Sequence, residues 1–295
     1  MEKKRSVRGY LYVVLSAVIY GCMPLMAKFI YMDGVNAITL VFLRNFLALP
    51  ALAALAYGQA KTLKVNSKAL PEISLAALFG CCMTPLLLFS SYVFISSGTA
   101  TVLHFIYPAI VVVLGVIFLR ERVSGRNLTS VILCAVGICL FYDPQQTMDW
   151  RGALLAAGSG LTFAIYVVLL PKSKKHGVTG LLLSFYIAVV SSVLMLILCL
   201  VSGQMALPST LGGWGLCLLF ALAVTAGAVV LFQQGTFLIG GQRASVLSTL
   251  EPITGVVVGA IVFQDPFTIW TAAGTALVVL ASILSAMPSR RKAKT

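Results

Sequence analysis

Apolar runs of membrane length follow one another along this chain with only short polar breaks between them. With breaks taken at charges, glycines and prolines, ten runs are read near 10–30, 36–57, 72–95, 99–119, 127–142, 152–171, 178–201, 213–239, 243–263 and 267–286. A helix needs about 20 apolar residues to cross the hydrocarbon core, and the fifth run is short. The runs are long and continuous rather than short and alternating, which predicts helices and not a barrel of strands. Only 10% of the 295 residues are charged, against about 25% in a soluble domain, and mean hydropathy is +1.01. The expectation is an all-α integral membrane protein with ten transmembrane helices.

The net charge of +13 follows the same layout. One set of breaks holds Lys3, Lys4, Arg5 and Arg8, then Lys61, Lys64 and Lys68, then Arg120, Arg122 and Arg126. It continues with Lys172, Lys174, Lys175, Arg243 and the tail Arg290, Arg291, Lys292 and Lys294. The alternate breaks hold only Arg151, beside Asp33, Asp143, Asp149 and Asp265. Basic loops face the cytoplasm, so both termini are expected inside, in the cell membrane. The clustering speaks for orientation and against nucleic acid as a partner. The seven cysteines lie in apolar runs without C-x-x-C spacing and read as small buried hydrophobes. No metal and no cofactor is expected. The basic start and first apolar run read as a retained span, because no small-residue cleavage site follows.

One segment occurs twice. HFIYPAIVVVLGVIFLRERVS at 104–124 returns as STLEPITGVVVGAIVFQDPFT at 248–268. A shift of 144 places Pro108 on Pro252, Gly115 on Gly259 and Glu121 on Asp265. Arg8-Gly9 falls on Arg151-Gly152 at a shift of 143, and Ile95 falls on Ile239 at 144. The chain is therefore expected to comprise two five-helix repeats, 1–143 and 144–295, in one membrane unit. Five crossings are odd, so the second half enters from the opposite side, as in many secondary transporters.

Ionisable groups at membrane depth are costly and mark candidate sites. Lys28 lies near the end of its run, where its stem reaches the interface. Arg44 lies about 12 Å of helix into the second run. It is either a structural partner for carbonyls or Glu251, or a planar fork for a carboxylate or phosphate. Pro108 and Pro252 are read as helix breaks, each freeing the carbonyl four residues earlier, at His104 and Ser248. Broken helices at depth sit against protein or a water-filled cavity, which predicts a mid-membrane site. Glu251 is the candidate for proton coupling. Arg44, His104, Glu251, Tyr20, Tyr92, Tyr107, Tyr166 and Gln233 are the candidate substrate-binding residues, and no catalytic residue is assigned.

FIYPAIVVVLGVIFLRERVS and LSTLEPITGVVVGAIVFQDPFT resemble the matching elements of the two repeats in EamA-type transporters of the drug/metabolite transporter superfamily. LRNFLA at 43–48 resembles the arginine element of their second span. The resemblance covers essentially the whole chain. It implies a central cavity walled by spans one to four and six to nine, with five and ten as outer supports. It also implies alternating access and substrates such as amino acids, other metabolites, quaternary amines and drugs. Gln264-Asp265-Pro266 departs from the Gly-Glu-like pair common there, and His104 follows no general rule of the family.

The expected function is secondary active transport, and export, of a small organic metabolite such as an amino acid or amine, with proton coupling as an option. The expected partners are that small-molecule substrate and the lipid bilayer, and a homodimer is compatible with them. Alternatives are a carrier of phosphorylated or sugar-linked solutes and a non-transporting helper subunit. An enzyme acting on lipids is not expected, since the sequence holds no H-E-x-x-H, clustered Asp pair or G-x-S-x-G.

Overall fold

In a computed structural model, residues 2–95, 97–119, 125–140, 149–170, 178, 180–262 and 269–286 are described. The clusters at 120–122 and 172–175, Asp143, Asp265 and the basic tail lie outside the described residues.

Among the described residues every regular element is helical. Six stretches are long and apolar enough to cross a membrane: Val7–Met32, Ala37–Ala60, Ser67–Ser91, Trp150–Leu169, Gly180–Ser202 and Leu211–Ile239. Shorter apolar helices occupy Tyr107–Phe118, Leu128–Gly137 and Ala272–Ala281. The outward side chains are large and apolar: Leu154 is 64% exposed, Leu200 66% and Phe118 66%. Contiguous surface of that kind is suited to lipid, not water. The interior instead takes small polar residues. Ser16 donates to the Ala228 carbonyl at 2.8 Å and Ser191 to the Ala77 carbonyl at 3.5 Å, so buried hydroxyls are satisfied by backbone of other helices.

The helices are α1 (Glu2–Gly21), α2 (Met23–Met32), α3 (Ala37–Phe46) and α4 (Leu49–Ala60). Pro24 and Pro50 stand in the first turns of α2 and α4, where a proline leaves no helical donor missing. Next come α5 (Leu70–Ala76), a π-helical segment Ala77–Met83, and α6 (Thr84–Ser91). α7 (Ser97–His104), α8 (Tyr107–Leu119) and α9 (Gly125–Cys139) follow. Later in the chain lie α10 (Trp150–Leu169), α11 (Gly180–Ser202) and α12 (Leu211–Phe220). A second π-helical segment, Ala221–Val229, leads into α13 (Val230–Ile239). α14 (Gly241–Leu247), α15 (Leu250–Val262) and α16 (Ile269–Ala286) complete the described fold.

Equivalent features recur at one offset. The π segments begin at Ala77 and Ala221, and α7 and α14 begin at Ser97 and Gly241; both pairs are separated by the 144 residues read from the sequence. Packing follows the same exchange: α1 runs along α13 and α15, while α10 runs along α6, α7 and α8. α3 lies on α11, and α9 lies on α16.

Candidate functional site

The two proline segments do break their helices. The first break lies between His104 and Tyr107, and the second between Leu247 and Leu250. Tight three-residue turns close each break: Ile106 N bonds Leu103 O at 3.4 Å, and Glu251 N bonds Ser248 O at 2.9 Å. The Ser248 carbonyl is therefore not left free, contrary to the expectation from Pro252. The amide of Glu251 reaches back and occupies it. The His104 carbonyl instead lies against Gly160 of α10, where a Cβ would come within 2.5 Å of it.

Between the breaks lies a cavity with about 490 Å³ of empty space, counted out to its mouth. Tyr20, Arg44, His104, Tyr107 and Glu251 all line it, so five of the eight residues singled out in the sequence converge. Tyr92, Tyr166 and Gln233 are not in the lining. Gln233 is fully buried elsewhere, accepting from Ser184 Oγ at 2.5 Å and donating to Tyr166 OH at 2.9 Å. Lys28 is exposed and also stays out of the cavity.

Arg44 is gripped from the opposite half of the chain. Its Nε donates to Thr225 Oγ1 at 3.1 Å, and its Cζ stands 5.8 Å from the centre of the Phe220 ring. The Tyr20 hydroxyl is a further polar neighbour of the guanidinium. Its chain neighbour Asn45 donates to the Val41 carbonyl at 2.8 Å and to the Cys81 carbonyl at 3.4 Å. Cys81 lies four residues before Pro85, which has no N–H to offer it. Residues 44 and 45 thus touch both π segments, one in each half.

Glu251 shares the cavity with Arg44, yet the two do not pair. Among the described residues the Glu251 carboxyl accepts no hydrogen bond. It lies within electrostatic reach of the hydroxyls of Tyr20, Tyr92 and Tyr107.

An aromatic wall faces these charges. His104 lies 5.3 Å from Tyr107 and 5.5 Å from Phe163, ring centre to ring centre, and Phe163 lies 5.3 Å from Phe232. On its far side His104 Nδ1 is 2.8 Å from Ser159 Oγ. Phe163, Phe232, Thr84, Ser159 and Thr225 were absent from the sequence candidates. Apolar rings and single hydroxyls in apolar helices carry no pattern that separates a cavity wall from ordinary packing.

The arrangement offers one fixed cation, one unpaired acid, a histidine and rings tilted against one another around one cavity. Residues 7–142 and 150–287 each match the EamA-like transporter family. An uncharacterized transporter of Archaeoglobus fulgidus is 28% identical over 256 residues, which cover 80% of this chain and 88% of that protein. A second from the same organism is 27% identical over 279 residues, covering 93% and 94%. A solved crystal structure with 15% sequence identity superposes at a TM-score of 0.75 over 99% of each chain, a likeness of fold. With both halves of its length matched, this multi-pass membrane protein belongs to the EamA-like transporter family.

Proposed function

We propose that the chain is a secondary active transporter that exports a small zwitterionic or cationic metabolite, an amino acid or an amine. One observation carries this reading: Arg44 and Glu251 line the same cavity without pairing. A zwitterion completes both, its carboxylate on the guanidinium fork and its ammonium on the Glu251 carboxylate. The aromatic wall adds cation–π attraction for the ammonium. A phosphorylated solute is served less well, because Lys28 stays outside and Arg44 is, among the described residues, the one lysine or arginine in the lining.

The mechanism we propose is alternating access by two inverted five-helix halves, 1–143 and 144–295, crossing the membrane ten times with both termini in the cytoplasm. The recurrence of π segments and helix breaks at one offset supports it, as does the exchange of packing partners between α1 and α10. Proton coupling runs through Glu251: a proton and the solute ammonium compete for one carboxylate, so solute release follows protonation.

The test is flux of labelled amino acids and amines into liposomes holding the purified protein. Uptake should respond to a pH gradient, and Glu251→Gln should abolish that response while the protein stays folded. Flux that keeps its pH-gradient dependence in Glu251→Gln sinks the coupling role, and no flux for any amino acid or amine sinks the substrate class.

A further inference from the structure

Ser159 Oγ stands between two groups. It is 2.6 Å from the Ala156 carbonyl, to which it donates, and 2.8 Å from His104 Nδ1. A serine hydroxyl has one proton to give. With that proton on the Ala156 side, the oxygen meets Nδ1 as an acceptor, and Nδ1 carries the hydrogen of that contact. Nε2 is then left with its lone pair. It finds no protein partner among the described residues, and His104 lines the cavity. The ring is held by Phe105, Tyr107 and Phe163 at 5.6, 5.3 and 5.5 Å. The next residue on α10, Gly160, receives the His104 carbonyl. Two consecutive residues of the second half therefore grip both the side chain and the backbone of His104.

We propose that Ser159 is a positioning residue for the solute site: it holds His104 with Nδ1 as donor, so that Nε2 faces the cavity as an acceptor for solute N–H groups. The inference rests on the cavity being the solute site. Two acceptors, Nε2 and the Glu251 carboxylate, then face a solute ammonium. A nitrogen that carries hydrogens satisfies both. A fully methylated nitrogen donates to neither, so the site selects primary ammonium over quaternary.

The experiment uses full-length protein labelled with 15N-histidine in lipid nanodiscs. The chain has two histidines, and His176→Gln isolates the His104 signals. The expected spectrum has Nδ1 protonated and Nε2 bare. Ser159→Ala should give a mixture of tautomers, and Ser159→Thr, which keeps the hydroxyl, should restore the single form. A wild-type ring protonated at Nε2, alone or together with Nδ1, overturns the assignment, as does a spectrum indifferent to Ser159→Ala. A second arm compares liposome uptake of L-alanine with its N-trimethyl derivative. Wild type should prefer L-alanine, and Ser159→Ala should shrink that preference about tenfold, the worth of one hydrogen bond. An unchanged preference also overturns the proposal. If neither probe is carried, the proposed substrate class fails, while the tautomer still decides the role of Ser159.

Discussion

Gly9 lies directly on Ile239: a Cβ on the glycine would come within 2.6 Å of Ile239 Cγ2. The same contact occurs with the halves exchanged, Gly152 on Ile95, at 2.8 Å. The neighbours include Leu238 Cβ and Phe94 Cβ, each at 2.8 Å, and such atoms move only with their backbone. Adding a methyl group therefore has to push helices apart. Gly9→Ala and Gly152→Ala should each cost about 1–3 kcal/mol, the usual penalty of overpacking. Gly58, with nothing within 4 Å of its would-be Cβ, is the control, and its alanine variant should melt no lower than wild type. Thermal unfolding of the three variants in detergent decides it.

Arg44 is oriented by Thr225, a residue 181 positions away in the chain. Thr225→Val keeps the shape and deletes the hydroxyl. The guanidinium then loses a hydrogen bond of the charged class, worth about 1.5–3 kcal/mol. Apparent affinity for a carboxylate-bearing solute should fall by at least about tenfold, and Thr225→Ser should recover most of it. Arg44→Lys should fare worse than Thr225→Val, since a point charge does not replace a fork. Concentration dependence of uptake supplies the measurement. Equal affinity in wild type and Thr225→Val would show that the fork needs no such support.

How much of this was legible in the sequence depended on distance along the chain. Long apolar runs gave the long helices, because in lipid a run of that length has one way to satisfy its backbone. Pro108 and Pro252 announced their breaks, since the missing N–H is a property of the residue itself. Arg44, His104 and Glu251 stood out by cost alone, and they do share one cavity. The supports of that cavity had no such signal. Thr225 and Ser159 are ordinary hydroxyl residues until folding brings them to Arg44 and His104. Tyr166 and Gln233 looked equally suited to a solute, yet they satisfy one another. The π segments are a register shift within continuous helix, and no residue type declares one.

A polar clasp joins the segment after α2 to the start of α12. Thr210 Oγ1 donates to Asp33 Oδ1 at 2.8 Å, Thr210 N donates to Oδ2 at 3.2 Å, and Ser209 Oγ donates to the Asp33 carbonyl at 2.8 Å. The Thr210 hydroxyl bond holds the Asp33 carboxyl below its ordinary pKa. A depressed folded value means the clasp's contribution is complete above the unfolded carboxyl's pKa, about 3.9, and is lost as pH falls through the folded one. The difference in melting temperature between wild type and Asp33→Ala should be constant at neutral pH and shrink towards zero below that window. A difference that grows on acidification would contradict the assignment.

Gln233 separates stability from selectivity. It is fully buried, lies outside the cavity lining, and holds the Ser184 and Tyr166 hydroxyls at 2.5 and 2.9 Å. Gln233→Leu keeps most of the volume but strands the Tyr166 hydroxyl in an apolar interior, at about 1–3 kcal/mol, while Ser184 keeps its bond to the Gly180 carbonyl at 3.0 Å. The variant should therefore melt well below wild type. Its order of preference among solutes should not change, because no cavity wall is altered. Gln233→Glu retains an acceptor for Ser184 and, when protonated, a donor for Tyr166, so it should melt between the two. Melting curves and competition uptake on the same preparations measure both quantities. A reordered solute preference with an unchanged melting temperature would move Gln233 into the binding site.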